Sequence, residues 1–409
     1  LTTIRKLPSF SEGIEKKQTI LIVSNSYPGF GGQSTHAYSL GKLLSSYYEV
    51  YMIFFLNDLP REDLFLDKDD NIIYDKTFSL NVLIRAYRKG LFNWLPNSWV
   101  GPIRIKARKW FRKKSLKKIK NKLRREGIVS DLVITNVNSF YEPISQAFDQ
   151  EKLLFIVGSP DPVYYSVAHK LPVQEVISQK ERWQYSFGKG IKNRDQVYLL
   201  FNSPLTQKLY QAIGMVTWGK QSVKYLNFDI EMLVGSTTPF DKRPYDIGFF
   251  VSDINRNIKN VDLALELMHS LPNKNHIVIG DNEGQLKNLD DFRVMPLQPK
   301  KQLYQILQNT KLVVIPSYFD SSPTLLAEAV GLGCNVLVSE NVGWAEYLST
   351  SSVVKVFEDL KSWRLKAEAL LKEPISNRRF EEVVKQAKPN LENEVEKILE
   401  YSKNYEHIK

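Results

Sequence analysis

One stretch of this sequence gathers small, turn-forming and acidic residues in an order suited to a phosphorylated ligand. It reads Pro316-Ser317-Tyr318-Phe319-Asp320-Ser321-Ser322-Pro323-Thr324-Leu325-Leu326-Ala327-Glu328-Ala329. It follows an apolar run, Leu312 to Ile315, with strand character, and leads into a helical pattern expected over Ser322 to Val330. Small residues let the backbone approach a ligand closely. The free N–H groups of a helix start, here around Ser322, Pro323, Thr324 and Leu325, suit a diphosphate, which the helix dipole also favours. Glu328 comes about one turn into that helix, where a carboxylate can accept hydrogen bonds from both hydroxyls of a ribose. Asp320 at the mouth could bind a sugar hydroxyl. The plainer alternative is that Asp320 and the two serines only cap the helix, as Ser and Asp do well.

Three further loops lie where ligands collect in open α/β sheets, beyond the carboxyl ends of strands. Ser252 to Asn260 (SDINRNIKN) carries Arg256 and Lys259. Fixed cations there could stabilise a departing phosphate; they could equally be two solvated basic residues near a helix start. The first loop contains Gly29, Gly31 and Gly32, and glycines permit positive φ and close backbone contact. Gly280-Asp281-Asn282 is a weaker version of the same signal. Hydrolytic chemistry finds no support: GxSxG, HExxH and GxxxxGK[ST] are absent. His36, His169, His269, His276 and His407 show no metal-ligand spacing, so no metal is expected. The single cysteine, Cys334, sits among apolar residues as a buried inert thiol, excludes an internal disulfide and fits a reducing, cytoplasmic compartment.

These loops need a scaffold of alternating strands and helices. With 409 residues the chain exceeds the roughly 250–300 residues that one core can serve, so two domains are expected. Its composition, 43% apolar and 25% charged, is that of a globular protein and argues against disorder. Strands are expected at Gln18–Ser24, Tyr48–Phe55, Asp131–Thr135, Lys152–Val157 and Gln196–Phe201 in the first half. Asp246–Val251, His276–Ile279, Leu312–Ile315 and Val336–Ser339 follow in the second. Helical spacing covers His36–Leu44, Val261–Leu271, Lys301–Gln308, Gly343–Leu348 and Leu391–His407. The expected organisation is a first α/β domain over 1–235, a linker over 236–244 within GSTTPFDKRP, a second α/β domain over 245–390 and a final helix over 391–409. No apolar run approaches about 18 residues, so no transmembrane helix is expected, and Leu1 to Lys17 lacks an apolar signal core.

Charge is concentrated in one place. Residues 81–125 hold 16 Lys or Arg and no acid, leaving 40 of the 56 basic residues against 45 acidic ones elsewhere. Arg104 to Arg125 holds 13 of the 16, with Ile105, Leu116, Ile119 and Leu123 in one helical stripe and Trp110 and Phe111 off it. Phe92, Trp94 and Trp99 precede it. Basic and aromatic residues together suit an anionic membrane surface. The alternative is a helix packed on its own domain with a solvated basic face. Concentrated charge of this kind makes a nucleic-acid partner a poor fit.

With these loops in place, the sequence resembles retaining glycosyltransferases of family 4, over roughly Thr19 to Leu348. The family's acidic residue, seven-residue gap and Glu is matched by Asp320 and Glu328. Glu328-Ala329-Val330-Gly331-Leu332-Gly333-Cys334-Asn335-Val336 resembles its EAMACGxPV, Gly343 and Glu346 its GGxxE, and Gly31 and Gly32 its first glycine pair. The resemblance implies a GT-B fold: two Rossmann-like domains with parallel sheets facing across a cleft, and a C-terminal helix crossing back to the first domain. It implies an acceptor-binding first domain and a second domain binding a nucleoside-diphosphate sugar, UDP- or GDP-linked. Glu328 would hold the donor ribose, Asp320 the donor sugar, and backbone near Thr324 and Leu325 the diphosphate. Lys259, with Arg256, would stabilise the leaving phosphate without a metal, while Gly31 and Gly32 would line the donor phosphate and acceptor side. The implied activity is retaining hexosyl transfer to a glycan or lipid-linked acceptor in polysaccharide or glycolipid assembly, in the cytoplasm, with the cytoplasmic face of a membrane as the candidate place of action. The sequence departs from the family at Asp320 (usually Glu), Asn335 (usually Pro), Ser252-Asp253 (usually Gly-Arg) and Gly158-Ser159-Pro160-Asp161 (often His). These departures keep open a catalytically degenerate protein that binds membrane or polyanion, and within enzymes a sugar-nucleotide epimerase on the same frame.

Overall fold

The first core strand, Thr19–Asn25 (β1, TILIVSN), is apolar without alternation, the pattern of a strand covered on both faces. In the computed structural model it is an interior strand of a seven-stranded sheet. Glu49–Phe55 (β2) and Ile72–Asp75 (β3) lie on one side. Leu132–Thr135 (β4), Lys152–Val157 (β5), Val197–Phe201 (β6) and Lys220–Val223 (β7) lie on the other. Every pairing is parallel. The structure describes residues 18–25, 32–55, 72–75, 97–137, 140–158, 191, 194–212, 220–223, 238–251, 254–280, 291–355 and 359–400.

Side chains alternate across the pleat. Leu21, Val23, Tyr51, Ile53 and Val133 join one buried cluster, and Ile20, Ile22, Val50, Met52 and Ile134 the other. The first cluster is covered by the basic helix Asn97–Arg125 and by Tyr141–Ala147. The second is covered by Gly32–Leu44, through Ala37, Leu40 and Leu44, and by a helix from the far end of the second half, Ala387–Glu400. That helix contributes Leu391, Val395, Ile398 and Leu399 to the first domain's core. The Lys152 ammonium donates to the Ile398 carbonyl at its end. The crossing-back helix expected from the family resemblance is therefore present; of Leu391–His407, the residues after Glu400 lie outside the described residues.

The second sheet is also wholly parallel. It comprises Tyr245–Phe250 (β8), His276–Ile279 (β9), Phe292–Met295 (β10), Thr310–Ile315 (β11), Asn335–Ser339 (β12) and Val353–Val354 (β13), in the order β10-β9-β8-β11-β12-β13. The strand order reverses between β8 and β11, as between β1 and β4 in the first sheet, and each switch point opens a crevice at the strands' carboxyl ends. All the strands expected from the sequence form.

Two local features bear on the frame. Arg243 is buried and donates to the carbonyls of Thr238, Thr310, Leu332 and Gly333, tying the segment before β8 to the carboxyl end of the helix Thr324–Gly331. Asn335, where the related family has Pro, donates to the Leu370 and Glu373 carbonyls and accepts from the Ile375 amide. A proline there could make none of these bonds.

The basic helix packs as its apolar stripe dictates. Leu116 and Leu123 are buried and Ile119 is packed against the same cluster, while the Ile105 and Phe111 side chains lie outside the described residues. Lys120 forms a buried ion pair with Glu151 at 2.8 Å, and Lys109 and Arg124 pair with Glu142 and Glu151. Trp110 stays 55% exposed. Residues 81–96, including Phe92 and Trp94, lie outside the described residues. Among the described residues no helix is long and apolar enough to cross a membrane.

Candidate functional site

The loop Pro316 to Pro323 joins β11 to the helix Thr324–Gly331 at the second sheet's crevice. Capping does not explain its polar residues. The helix begins after Pro323, in extended geometry, and no side chain caps it. Its start is two residues later than the expected Ser322, which leaves Ser322 and Pro323 in the loop. Among the described residues the amides of Thr324 and Leu325 meet no acceptor, so both remain available to an anion.

Neighbouring loops are stitched to this one through the backbone. The Tyr318 amide donates to the Ile258 carbonyl at 2.9 Å, and the Asn260 side chain donates to the Pro316 carbonyl at 3.2 Å. Asn260 takes the left-handed conformation, φ 53°, that Asn tolerates. The short turn Asn257–Lys259 that precedes it delivers Lys259 to the site, where its ammonium pairs with the Asp320 carboxylate. Asp320 is fixed in turn. Its amide donates to the Asn341 carbonyl, and its carbonyl accepts from the Gly343 amide at 2.6 Å. Arg256 is not brought in: it is exposed, and among the described residues no ion pair or hydrogen bond joins its side chain to Asp320 or Glu328. Ser252 and Asp253 lie outside the described residues.

Glu328 is 3% exposed, one turn into its helix. Its Oε1 accepts from the Tyr304 hydroxyl at 3.3 Å and meets the Lys300 ammonium at 3.1 Å. The segment after β12 closes the other side of the loop. A side chain at Gly343 would put its Cβ 2.0 Å from the Ser321 carbonyl oxygen, so only glycine allows this approach. Trp344 follows in left-handed geometry, φ 76°, a costly conformation for a bulky residue. It is buried, and its indole N–H donates to Ser322 Oγ at 3.3 Å. The helix expected over Gly343–Leu348 is instead a single tight turn, Ala345–Tyr347, because the Gly343 amide is bonded to Asp320 and Trp344 cannot continue a right-handed helix.

The first domain meets this loop directly. Asn202, just past β6, donates to Ser321 Oγ at 2.9 Å. Lys208 pairs with Glu346 at 2.6 Å, and Leu205 and Leu209 pack with Ile258 and Phe319. At the carboxyl ends of β1 and β4, Ser24 Oγ donates to Asn136 Oδ1 at 3.1 Å, and the Asn136 amide lies 3.4 Å from His36 Nδ1. Gly32 opens the helix there, while Gly31 lies outside the described residues. Gly158 ends β5 beside the Asn202 side chain, and 159–161 lie outside the described residues. Gly280, φ 123°, abuts the Val251 carbonyl; Asp281 and Asn282 are outside them too. Cys334 is the inert thiol expected: burial pushes it up to about 12, and it donates to the Leu307 carbonyl. Sequence reasoning missed Lys300, Tyr304, Trp344, Asn202 and Asn136, whose roles arise only from tertiary contact.

Two parallel-sheet domains meeting at strand-end crevices define the GT-B class of glycosyltransferases. Residues 239–387 match the family model "Glycosyl transferases group 1", which makes the second domain that of a group 1 glycosyltransferase and the protein an enzyme of glycosyl transfer. Sucrose-phosphate synthase from Thermosynechococcus elongatus is similar in fold at 16% identity and a TM-score of 0.65, over 96% of this chain and 99% of that one. An Escherichia coli trehalose-6-phosphate structure bound with UDP-2-fluoro glucose aligns at 11% identity and 0.57, over 95% and 98%. WaaG, a glycosyltransferase involved in lipopolysaccharide biosynthesis, aligns at 12% and 0.54, over 90% and 95%. No curated protein matches by sequence.

Proposed function

We propose that this protein is a family 4 enzyme that transfers a hexose, with retention and without a metal ion, from a UDP- or GDP-sugar to a glycan or lipid-linked acceptor. The observation that carries this reading is the convergence of Lys259, Asp320, Glu328 and two acceptor-free amides on one crevice. In it, Glu328 binds the donor ribose, the Thr324 and Leu325 amides hold the diphosphate beside Ser322 and Pro323, and Asp320 contacts the donor sugar. Asp320 also aims Lys259, whose charge meets the negative charge that grows as the sugar–phosphate bond breaks. The nucleoside diphosphate leaves, the acceptor oxygen bonds to the anomeric carbon on the same face, and the acceptor's proton passes to the departing phosphate. By the family resemblance, Gly31 and Gly32 line the donor phosphate and the acceptor side. Arg256 keeps a supporting role only if donor binding draws it inward. The UDP-sugar bound in the E. coli neighbour supports a nucleotide-sugar donor.

A thermal-shift panel of UDP, GDP, ADP, CDP and dTDP in EDTA tests the donor, since ligand at about 100 times its dissociation constant stabilises by about 2.7 kcal/mol. One nucleotide series should stand out, and its sugar should be transferred with the anomeric configuration kept. No shift from any of them would favour a degenerate binding protein, and turnover without acceptor an epimerase.

The membrane face is the second part of the proposal. With its apolar stripe buried, the helix Asn97–Arg125 turns Trp110, Lys114, Lys117 and Lys118 outward, and the Lys114 ammonium lies 5.1 Å from the Trp110 ring centre. Four such groups on one face suit anionic lipid headgroups. Co-flotation with phosphatidylglycerol vesicles, lost on reversing Lys114, Lys117 and Lys118 to Glu and absent with phosphatidylcholine, is the expected result. Flotation that ignores both changes would refute it.

A further inference from the structure

The Glu328 carboxylate is held from one side only. Both of its contacts among the described residues, the Tyr304 hydroxyl at 3.3 Å and the Lys300 ammonium at 3.1 Å, reach Oε1, and no described donor reaches Oε2. Both partners stand on the first turns of the helix Lys300–Gln308, one residue past Pro299 and one turn further on. Lys300 lies 5.7 Å from the Tyr304 ring centre, so the ring also steadies the ammonium. Burial, then the Glu328 charge, pushes the Tyr304 hydroxyl above its usual range, which keeps it a donor. Burial works against the Lys300 charge, but Glu328 and Tyr304 more than offset it and the net shift is upward. Neither residue belongs to the motif that marked Glu328.

We infer that Lys300 and Tyr304 are positioning residues that saturate Oε1 of Glu328 and so present Oε2 alone to the 2′- and 3′-hydroxyls of the donor ribose. The inference rests on the proposed role of Glu328. Its physical basis is that a carboxylate accepts about four hydrogen bonds, two per oxygen. With Oε1 filled, the side chain cannot rotate without losing two donors. The remaining oxygen then has two lone pairs for a vicinal diol, which makes the pocket a reader of the intact ribose as well as of its base. Lys300 is 55% exposed in its side chain, so the pair reaches solvent. Its contribution should weaken with salt, as that of a partly exposed ion pair does.

The test pairs each variant with a ligand that lacks one hydroxyl: UDP, GDP and their 2′-deoxy forms, by isothermal titration in EDTA. For the ribonucleotide that binds, Tyr304→Phe should weaken affinity about tenfold, the worth of about one hydrogen bond to a charged group. The same change should cost the 2′-deoxy form less than about threefold, because the deleted bond is the one being positioned. Lys300→Met should behave alike, and its effect should shrink in high salt. In turnover both should raise KM and leave kcat near its original value. Equal weakening of ribo and deoxy forms by both variants, or none, would overturn the inference. Glu328→Ala separates the two layers. If it abolishes the ribo–deoxy difference while Tyr304→Phe leaves it intact, the role of Glu328 stands and the clamp falls. If Glu328→Ala changes nothing, or no nucleotide binds, the transferase reading fails and the clamp with it. Lys300→Met, altering a half-exposed side chain at a helix start, keeps the test available if the Tyr304 variant does not fold.

Discussion

The two crevices are built alike in topology and differently in fabric. At the second, backbone groups do most of the joining: Tyr318 to Ile258, Asp320 to Asn341, Gly343 to Asp320. At the first, side-chain contacts, Ser24 with Asn136 and Asn136 with His36, lie beside backbone bonds from Phe140 to Val137 and from Asn202 to Val157. Backbone stitching fixes a loop whatever side chains surround it, which suits a ligand part common to all donors, a ribose diphosphate. Side-chain networks can be rewritten residue by residue, which suits an acceptor that varies. The difference teaches where rigidity has been placed, and five substitutions probe it.

The largest effect belongs to Lys259. Lys259→Ala should lower kcat by about 10²–10³-fold, the scale for losing one preorganised charge, in steady-state assays. Asn136→Ala, its counterpart at the first crevice, should leave donor affinity within a few-fold; equal losses would break the comparison. Arg243→Met comes next. It strips four carbonyls of their buried donor and should cost about 3 kcal/mol in denaturant unfolding. Gly343→Ala should cost about 2 kcal/mol and lower activity with it, because backbone at Ser321 has to move. Asn202→Ala is the mildest. It removes the one described hydrogen bond from Asn202 to the loop, worth about 1 kcal/mol, and should appear mainly as a raised donor KM. A lowered kcat with unchanged KM would mean that the first domain aligns the reaction itself.

What was legible in the sequence follows the same line. The interior strands announced themselves because both faces are buried, as in TILIVSN and KLLFIV. The four strands that were not expected, β3, β7, β10 and β13, are the edges of the two sheets. An edge strand has a single neighbour, can be short, and accepts polar residues. Lys220–Val223 reads KQSV, Phe292–Met295 carries Arg293, and Val353–Val354 is two residues long. In the site, Asp320 and Glu328 were read from their spacing along one loop and the helix it feeds, and Lys259 from its place on the loop after a neighbouring strand. Arg256 stood in for the arginine that Ser252-Asp253 lacks, and among the described residues no ion pair or hydrogen bond joins it to Asp320 or Glu328. Trp344 and Tyr304 could not be read, since an indole N–H finding Ser322 or a phenol finding Glu328 depends on how separate helices dock.

The helix Ala387–Glu400 carries one further consequence, for the birth of the protein. Its leucines, valine and isoleucine complete a core whose last strand ends at Val223, so the first domain is discontinuous in the chain. At a synthesis rate of about 5–20 residues per second, the first sheet waits on the order of 10–40 s for its last layer. During that time the face formed by Ile20, Ile22, Met52 and Ile134 lacks part of its cover. The second domain needs no such delay, because its strands and the helices that cover them are contiguous from Tyr245 to Lys385. The ribosome therefore releases a chain whose later half can finish folding before its earlier half.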